Sequence, residues 1–256
     1  MTGHCLITGG AGAMGAATAR LAARNGYAVS LVSLEAERAS AEALVREIAE
    51  GGGAASFVSA DVSSEADVVE AYKTAAGTFG PPTGVLHAAG TFVGYMVRDL
   101  KFEAISRLIA VIVTGLFFWW RVGALLMSPW WGGAVGSIVN VSSMAATIGG
   151  RPGHSVYAAS KGAVDVFSKG FAKEVAREGI RVNTVRPGAV ARAMTAGLEA
   201  DPETKKAVED SIPMGRIGQP GEIAEIALWL MSPAWSLITG AHIDAGGGGF
   251  NVAGSV

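Results

Sequence analysis

Tyr157 and Lys161 stand four positions apart in the run Tyr157-Ala158-Ala159-Ser160-Lys161. On a helix that spacing places both side chains on one face. A free phenol, with a pKa near ~10, is a poor acid–base catalyst at neutral pH. A neighbouring ammonium favours the phenolate and brings that value down. The pair can then exchange a proton with an alcohol or carbonyl oxygen. Ser143 adds a hydroxyl able to hydrogen-bond the same oxygen and stabilise charge developing on it. The competing reading is an ordinary pair on a helix surface, which Ser143 and a second motif near the N-terminus argue against.

That second motif is Gly10-Ala11-Gly12-Ala13-Met14-Gly15, G-x-G-x-x-G, set between the apolar run Cys5-Leu6-Ile7-Thr8 and an alanine-rich stretch. Glycines permit a tight turn there and let the backbone approach a pyrophosphate. The helix that follows offers unpaired N–H groups and the positive end of its dipole to an anion. With 36 glycines in 256 residues the pattern alone is weak; the strand before it and the helix after it give it weight against a purely structural turn. An acidic residue ~20 positions on would hold the ribose hydroxyls of a dinucleotide. Glu35 lies at that distance, but the second strand ends at Ser33, so Glu35 reads equally as a solvated charge at a helix start.

The elements that must position these groups alternate along the whole chain. Strands are expected at Cys5–Thr8, Ala28–Ser33, Ala54–Ala60, Gly84–Ala88, Ser137–Val141, Ile180–Arg186 and around His242-Ile243-Asp244. Helices are expected at Ala13–Asn25, Glu37–Glu50, Glu65–Ala76, about Phe102–Met127, Ser155–Arg177 and Glu222–Met231. Near-continuous apolar strands separated by helices mean βαβ units and a parallel sheet buried on both faces. No linker or composition break divides the chain. The least regular stretch, Pro187–Pro220, is where a lid over a site is expected, at about 189–215.

With these residues in order, the chain resembles the short-chain dehydrogenase/reductase family. Thr8-Gly9-Gly10-Ala11-Gly12-Ala13-Met14-Gly15 is similar to its T-G-x-x-x-G-x-G turn, with Ala13 in place of the middle glycine. Asp61-Val62 resembles its adenine-contacting pair, and His87-Ala88-Ala89-Gly90 stands where it often has N-N-A-G. Ser143 with Tyr157 and Lys161 matches its catalytic serine and Y-x-x-x-K, and Arg186-Pro187-Gly188 its P-G turn. The resemblance spans nearly the whole chain. It implies one Rossmann-like, doubly wound parallel sheet in three αβα layers over 1–256. It implies NAD(H) or NADP(H), no metal, and hydride transfer between nicotinamide and a secondary alcohol or ketone.

The catalytic residues so implied are Ser143, Tyr157 and Lys161, with Lys161 also holding the nicotinamide ribose. The coenzyme would lie on Gly9, Gly10, Gly12, Met14 and Gly15, with Ser33 and Leu34 at the end of the second strand. Asp61 and Val62 would flank the adenine. Ala88, Ala89, Gly90, Pro187, Gly188 and Val190, together with Tyr157 and Lys161, would complete the site. Relatives preferring NAD tend to carry Asp at the second strand's end, and those preferring NADP an Arg just after it or within the turn. Here those positions are Ser33, Leu34 and Gly12, and Glu35 tips the expectation slightly to NAD.

Two departures stand out. Ala110-Val111-Ile112-Val113-Thr114-Gly115 resembles the family's V-N-x-T-G run, but Ile112 occupies the place of the asparagine held to position a water beside the lysine. Slowed turnover with intact coenzyme binding is expected. Arg192 stands where a threonine often contacts the nicotinamide carboxamide; Thr195 could substitute, and Arg192 reads first as a solvated lid charge. The rival reading is therefore an altered or engineered member of the fold that binds coenzyme or assembles but barely turns over. A second rival keeps the fold without a nicotinamide, which the glycine turn argues against.

Half the residues are apolar and only 16% charged, against a usual ~25%. That excludes disorder. A net charge of -2 offers no basic surface to nucleic acid. The single cysteine, Cys5, excludes an internal disulfide and a cysteine-built zinc site, and the four histidines show no metal-ligand spacing. His87 and His154, near the motifs, read first as packing residues and second as substrate-site residues. Between Leu108 and Gly150 Arg121 is the one charge, but Arg121 and Pro129 interrupt any spanning run, so a buried helix and strand are expected. No export signal is read at the start, and a cytoplasmic protein is expected. Trp119, Trp120, Trp130 and Trp131 fall too close together for one monomer core to take all of them. They suggest a buried interface on the 102–127 helix, and so a homodimer or homotetramer. The stretches around Phe92–Val97, Thr147–His154 and Ala191–Ile212 are apolar and suggest an uncharged ketone or alcohol, unless Arg151 or Arg192 faces the pocket.

Overall fold

A computed structural model of the chain describes residues 3–191 and 201–249. The first half runs β1 (Gly3–Thr8), α1 (Ala13–Arg24), β2 (Tyr27–Ser33), α2 (Arg38–Glu50), β3 (Ala55–Ser59), α3 (Glu65–Phe79) and β4 (Gly84–His87). It continues with α4 (Phe102–Ile109), a π-type turn (Ala110–Thr114), α5 (Gly115–Met127), β5 (Ser137–Val141), α6 (Ala145–Ile148) and α7 (Ser155–Val175). The chain then forms β6 (Arg181–Pro187), α8 (Pro202–Asp210), α9 (Pro220–Met231) and β7 (His242–Ala245).

Among the described residues the strands form one 7-stranded sheet in the order β3-β2-β1-β4-β5-β6-β7, all pairs parallel. Successive strand residues face opposite layers. Leu6, Val32, Val85 and Ile138 pack on α3, α5 and α7, whereas Ile7, Leu31, Leu86 and Val139 pack on α1, α2 and α9. This is the doubly wound α/β architecture expected from the alternation. The strand order reverses between β1 and β4, whose ends meet with Thr8 opposite His87. A crevice outside the strand ends opens at such a reversal, and ligands bind there.

Three expectations need correction or refinement. The 102–127 helix is not continuous: the π-type turn at Ala110–Thr114 interrupts it. It coincides with Val111-Ile112-Val113-Thr114, β-branched residues that are stiff and crowd the preceding helical turn. The monomer core does not take all four tryptophans, as expected, but it does take the adjacent pair: Trp119 and Trp120 are each 1% exposed, whereas Trp130 and Trp131 are 70% and 73% exposed. Adjacent helix residues can both be buried because α5 lies between α3 and α7. Tyr72 of α3 packs on Trp119 and Phe167 of α7 stacks on Trp120. Finally, the irregular stretch contains a regular element, α8. Asp201 caps it by accepting from the Glu203 and Thr204 amides, and Pro202 fits the first turn.

By length and composition Phe102–Met127 could cross a membrane. In the fold, Leu108, Leu116 and Met127 join Trp119 and Trp120 in the core of the sheet's helical layer.

Candidate active site

The site is built at the tips of β1, β4, β5 and β6. After Thr8 the chain turns at Gly9, whose φ of +65° and whose approach to the Ala89 backbone, 2.8 Å from where a Cβ would sit, leave no room for a side chain. A Cβ on Gly15 would collide with the Gly9 carbonyl. The Gly12 amide donates to the Gly9 carbonyl at 3.0 Å, and the Ala11 amide to Ser33 Oγ at 3.0 Å, tying the turn to the end of β2. Gly12 caps α1 with no side-chain acceptor, and no acid lies in the helix's first turn. Its leading N–H groups thus face the crevice and suit an anion.

A cavity of about 340 Å³ opens over this turn. Gly9, Gly12, Met14, Gly15, Ser33, Leu34, Asp61, Val62, Ala88, Ala89 and Gly90 line it, as the sequence implied. Gly10 does not; it packs beneath the turn against Leu31. Volume, glycine-built floor and bare helix end together fit a dinucleotide, which is the test the residues have to pass.

Glu35 is not part of it. Its carboxylate accepts from Arg38 Nε at 2.6 Å and is exposed; hydrogen bonds from Arg38 and Ser59 hold it down at about 2. Glu37, at the end of the 3-10 turn Glu35–Glu37, lines the cavity instead. Counting from the glycine turn could not distinguish them, because that short turn decides which carboxylate points inward. Arg107 of α4 also lines the cavity and was not foreseen; its guanidinium donates to Asp61 Oδ2 at 3.1 Å. Burial raises the Asp61 carboxyl, but hydrogen bonds from Ser63 and Arg107 outweigh it and leave it below its usual range.

A second cavity, about 50 Å³, shares Met14, Ala88, Gly90 and Thr91 with the first. Ser143, Tyr157, Lys161, Pro187, Gly188 and Val190 all line it. Residues far apart in sequence therefore converge where expected. Ser143 lies between β5 and α6, and its Oγ accepts from the Ala145 amide at 3.1 Å. Tyr157 and Lys161 share the buried face of α7, with the Lys161 ammonium 5.9 Å from the Tyr157 ring centre. Lys161 Nζ donates to the Val141 carbonyl at the tip of β5, at 2.8 Å.

Phe92 packs edge-on against Tyr157 at 5.2 Å and against His154 at 4.8 Å, an apolar wall beside the hydroxyl. Burial first, then the charge on Arg151, lowers the His154 pKa below the usual imidazole range. Arg151 itself turns to Ser211 Oγ at 3.1 Å and lines neither cavity. Arg192 and Thr195 lie outside the described residues. Ile112 is buried beside Lys161. No group of three or more His, Cys, Asp or Glu among the described residues is placed to hold a metal ion.

Comparison with known proteins places this arrangement beside its relatives in sequence and fold. A family model described as enoyl-(acyl carrier protein) reductase matches residues 9–250. The uncharacterized oxidoreductase YgfF of Escherichia coli (strain K12) is 40% identical over 245 residues, which are 95% of this chain and 98% of that protein. Carbonyl reductase family member 4 of Xenopus tropicalis is 34% identical over 97% of this chain and 98% of its own. A solved short-chain type dehydrogenase/reductase from Mycobacterium ulcerans superposes with a TM-score of 0.88 at 27% identity, over 96% of this chain and 88% of that one. With the glycine turn, the Ser143–Tyr157–Lys161 group and the sheet order all in place, the chain belongs to the short-chain dehydrogenase/reductase family.

Proposed function

We propose that this protein is an NAD-dependent oxidoreductase that interconverts an uncharged secondary alcohol and its ketone. The observation that carries the reading is the shared wall. The cavity holding Ser143, Tyr157 and Lys161 shares Met14, Ala88, Gly90 and Thr91 with the cavity over the glycine turn. A coenzyme laid along both would supply or accept the hydride at its nicotinamide carbon. Ser143 holds the substrate oxygen by hydrogen bond. Tyr157 gives that oxygen a proton as a carbonyl is reduced, and takes one as an alcohol is oxidised. The nearby Lys161 ammonium stabilises the phenolate left behind.

The lean to NAD follows from charge at the adenosine end. Glu37 presents a carboxylate to the cavity and would repel a 2′-phosphate. The Arg38 guanidinium is engaged by Glu35 and Glu42, and Arg107 by Asp61. The apolar substrate follows from Phe92 against Tyr157 and from Arg151 turning away to Ser211. Copies are proposed to associate across α5 and α7, where Phe117, Leu125 and Val166 are exposed. A sedimentation experiment returning only monomer would remove that last element.

Fluorescence titration with NADH and, separately, NADPH tests the core of the reading without knowledge of the substrate. Saturable binding, tighter for NADH, is expected, followed by turnover in a screen of apolar secondary alcohols. A folded protein that binds neither coenzyme would refute the proposal.

A further inference from the structure

Among the described residues, three of the five buried side-chain polar atoms without a hydrogen-bond partner lie together, behind the site rather than in it. Neither ring nitrogen of His87, at the tip of β4, has a hydrogen-bond partner among the described residues, and neither has the indole Nε1 of Trp119 on α5. Both residues are buried, and their ring centres are 6.0 Å apart. Both line a cavity of about 10 Å³ between the sheet and its helices, together with Thr8, Ile112 and Lys161 and otherwise aliphatic side chains. A neutral imidazole always carries one donor and one acceptor, and an indole one donor. Folded proteins rarely leave such atoms unpaired. With the unpaired ring atoms of His87 and Trp119 in its wall, a space of this size accommodates one water, which needs two to four partners.

Lys161 lines both this inner cavity and the one holding Tyr157. Its ammonium has three donors, and the Val141 carbonyl accepts from it. We infer that one buried water bridges the His87 ring, the Trp119 N–H and the Lys161 ammonium, and that His87 is thereby a positioning residue for Lys161. Ile112, in the wall of the same cavity, supplies no polar group, so the anchor comes from β4 and α5 instead. No carboxylate lines the cavity. The titratable groups around it are Lys161 and His87 themselves, Tyr157 beyond Lys161, and Tyr72, packed 4.8 Å from Trp119. His154 lies beyond Phe92, and Asp165 of α7 is turned to Arg186 at 2.7 Å.

The consequence for Tyr157 rests on reading Tyr157 and Lys161 as the acid–base pair, but its test needs no substrate. Tyrosinate absorbance is titrated in the coenzyme-free protein and in its Tyr157→Phe counterpart, and the difference reports Tyr157. An anchored ammonium favours the phenolate, so losing the anchor moves the Tyr157 midpoint to higher pH. His87→Phe should raise it by about half a unit or more, while His87→Asn, which still hydrogen-bonds, should hold it near the parent value. If His87→Phe does not fold, Trp119→Phe removes one partner with less change of shape and should shift the midpoint the same way, by less. An unchanged midpoint in a folded variant, even one with a lower Tm, would overturn the proposal. So would a crystal structure showing a direct Trp119–His87 hydrogen bond or no ordered water against Lys161. Failure to bind NADH or NADPH would instead count against the oxidoreductase reading, and would leave these midpoints readable.

Discussion

The two spaces that meet at Ala89 are made in opposite ways. The coenzyme cavity is built from backbone and small residues: Gly9, Gly12 and Gly15 at the turn, Ala88 to Gly90 at the tip of β4. The inner cavity is built from bulk, with Trp119, Leu116, Ile112 and His87 closing it. A site made of backbone is fixed by which residues are absent, and it tolerates little change. A site made of packed side chains is fixed by volume, and it can relocate a polar group from one element to another. An isoleucine at 112 therefore leaves the inner cavity with the hydrogen-bonding groups of His87 and Trp119, whereas a methyl group added at Gly15 would collide with the Gly9 carbonyl and distort the turn.

The sharpest break between the two comes from Tyr157→Phe. It should lower kcat by roughly 10²- to 10⁴-fold while leaving NADH affinity within a factor of about two. A parallel loss of NADH binding in a titration would mean that the two cavities are not separable. Next in size is the packing of the inner side. Trp120 donates from Nε1 to Asn140 Oδ1 at 3.0 Å and stacks on Phe167 at 4.5 Å. Trp120→Ala should cost about 3–5 kcal/mol in urea unfolding, and exposed Trp130→Ala only about 0.5 kcal/mol or less. Equal costs would show that Trp130 is covered in the assembled protein.

Acid should act on the inner side first. Burial pushes the His87 pKa down to about 3. In the unfolded chain that imidazole takes up its proton near ~6.5, so between these values the unfolded state binds more protons. Stability attributable to His87 is thus fully present above pH ~6.5 and is lost as pH falls towards 3, by up to ~1.4 kcal/mol per unit. Urea midpoints at pH 7 and pH 4 should converge more in His87→Asn than in the parent; an identical acid slope in both would contradict the buried neutral state. The smallest effect is expected from Ile112→Asn, which places an amide beside Lys161. It should raise kcat by about an order of magnitude at most, because His87 already serves that cavity. No gain at any pH would show that position 112 does not limit turnover.

Much of the coenzyme cavity and of the cavity holding Tyr157 was legible in the residues. Glycine at 9, 12 and 15 and Tyr157 four before Lys161 act through steric permission and helical spacing, both local properties of the chain. The alternation of apolar runs and helices fixed the parallel sheet for the same reason, with most element ends within a few residues. Gly10 packs beneath the turn rather than lining the cavity, a side that sequence spacing does not specify. The π-type turn at Ala110–Thr114 replaced a smooth helix where β-branched side chains crowd together.

What the sequence determined by itself was a glycine turn between a strand and a helix, a Tyr157–Lys161 pair on one helix face and an alternation of strands and helices, because each depends on neighbours a few positions apart. What tertiary structure alone decided was which acidic residue lines the cavity over the glycine turn, Glu37 rather than Glu35. It also buried both Trp119 and Trp120, and brought His87 behind Lys161. These depend on which elements meet across the sheet, since burial and polar satisfaction are properties of what surrounds a side chain and not of its position in the chain.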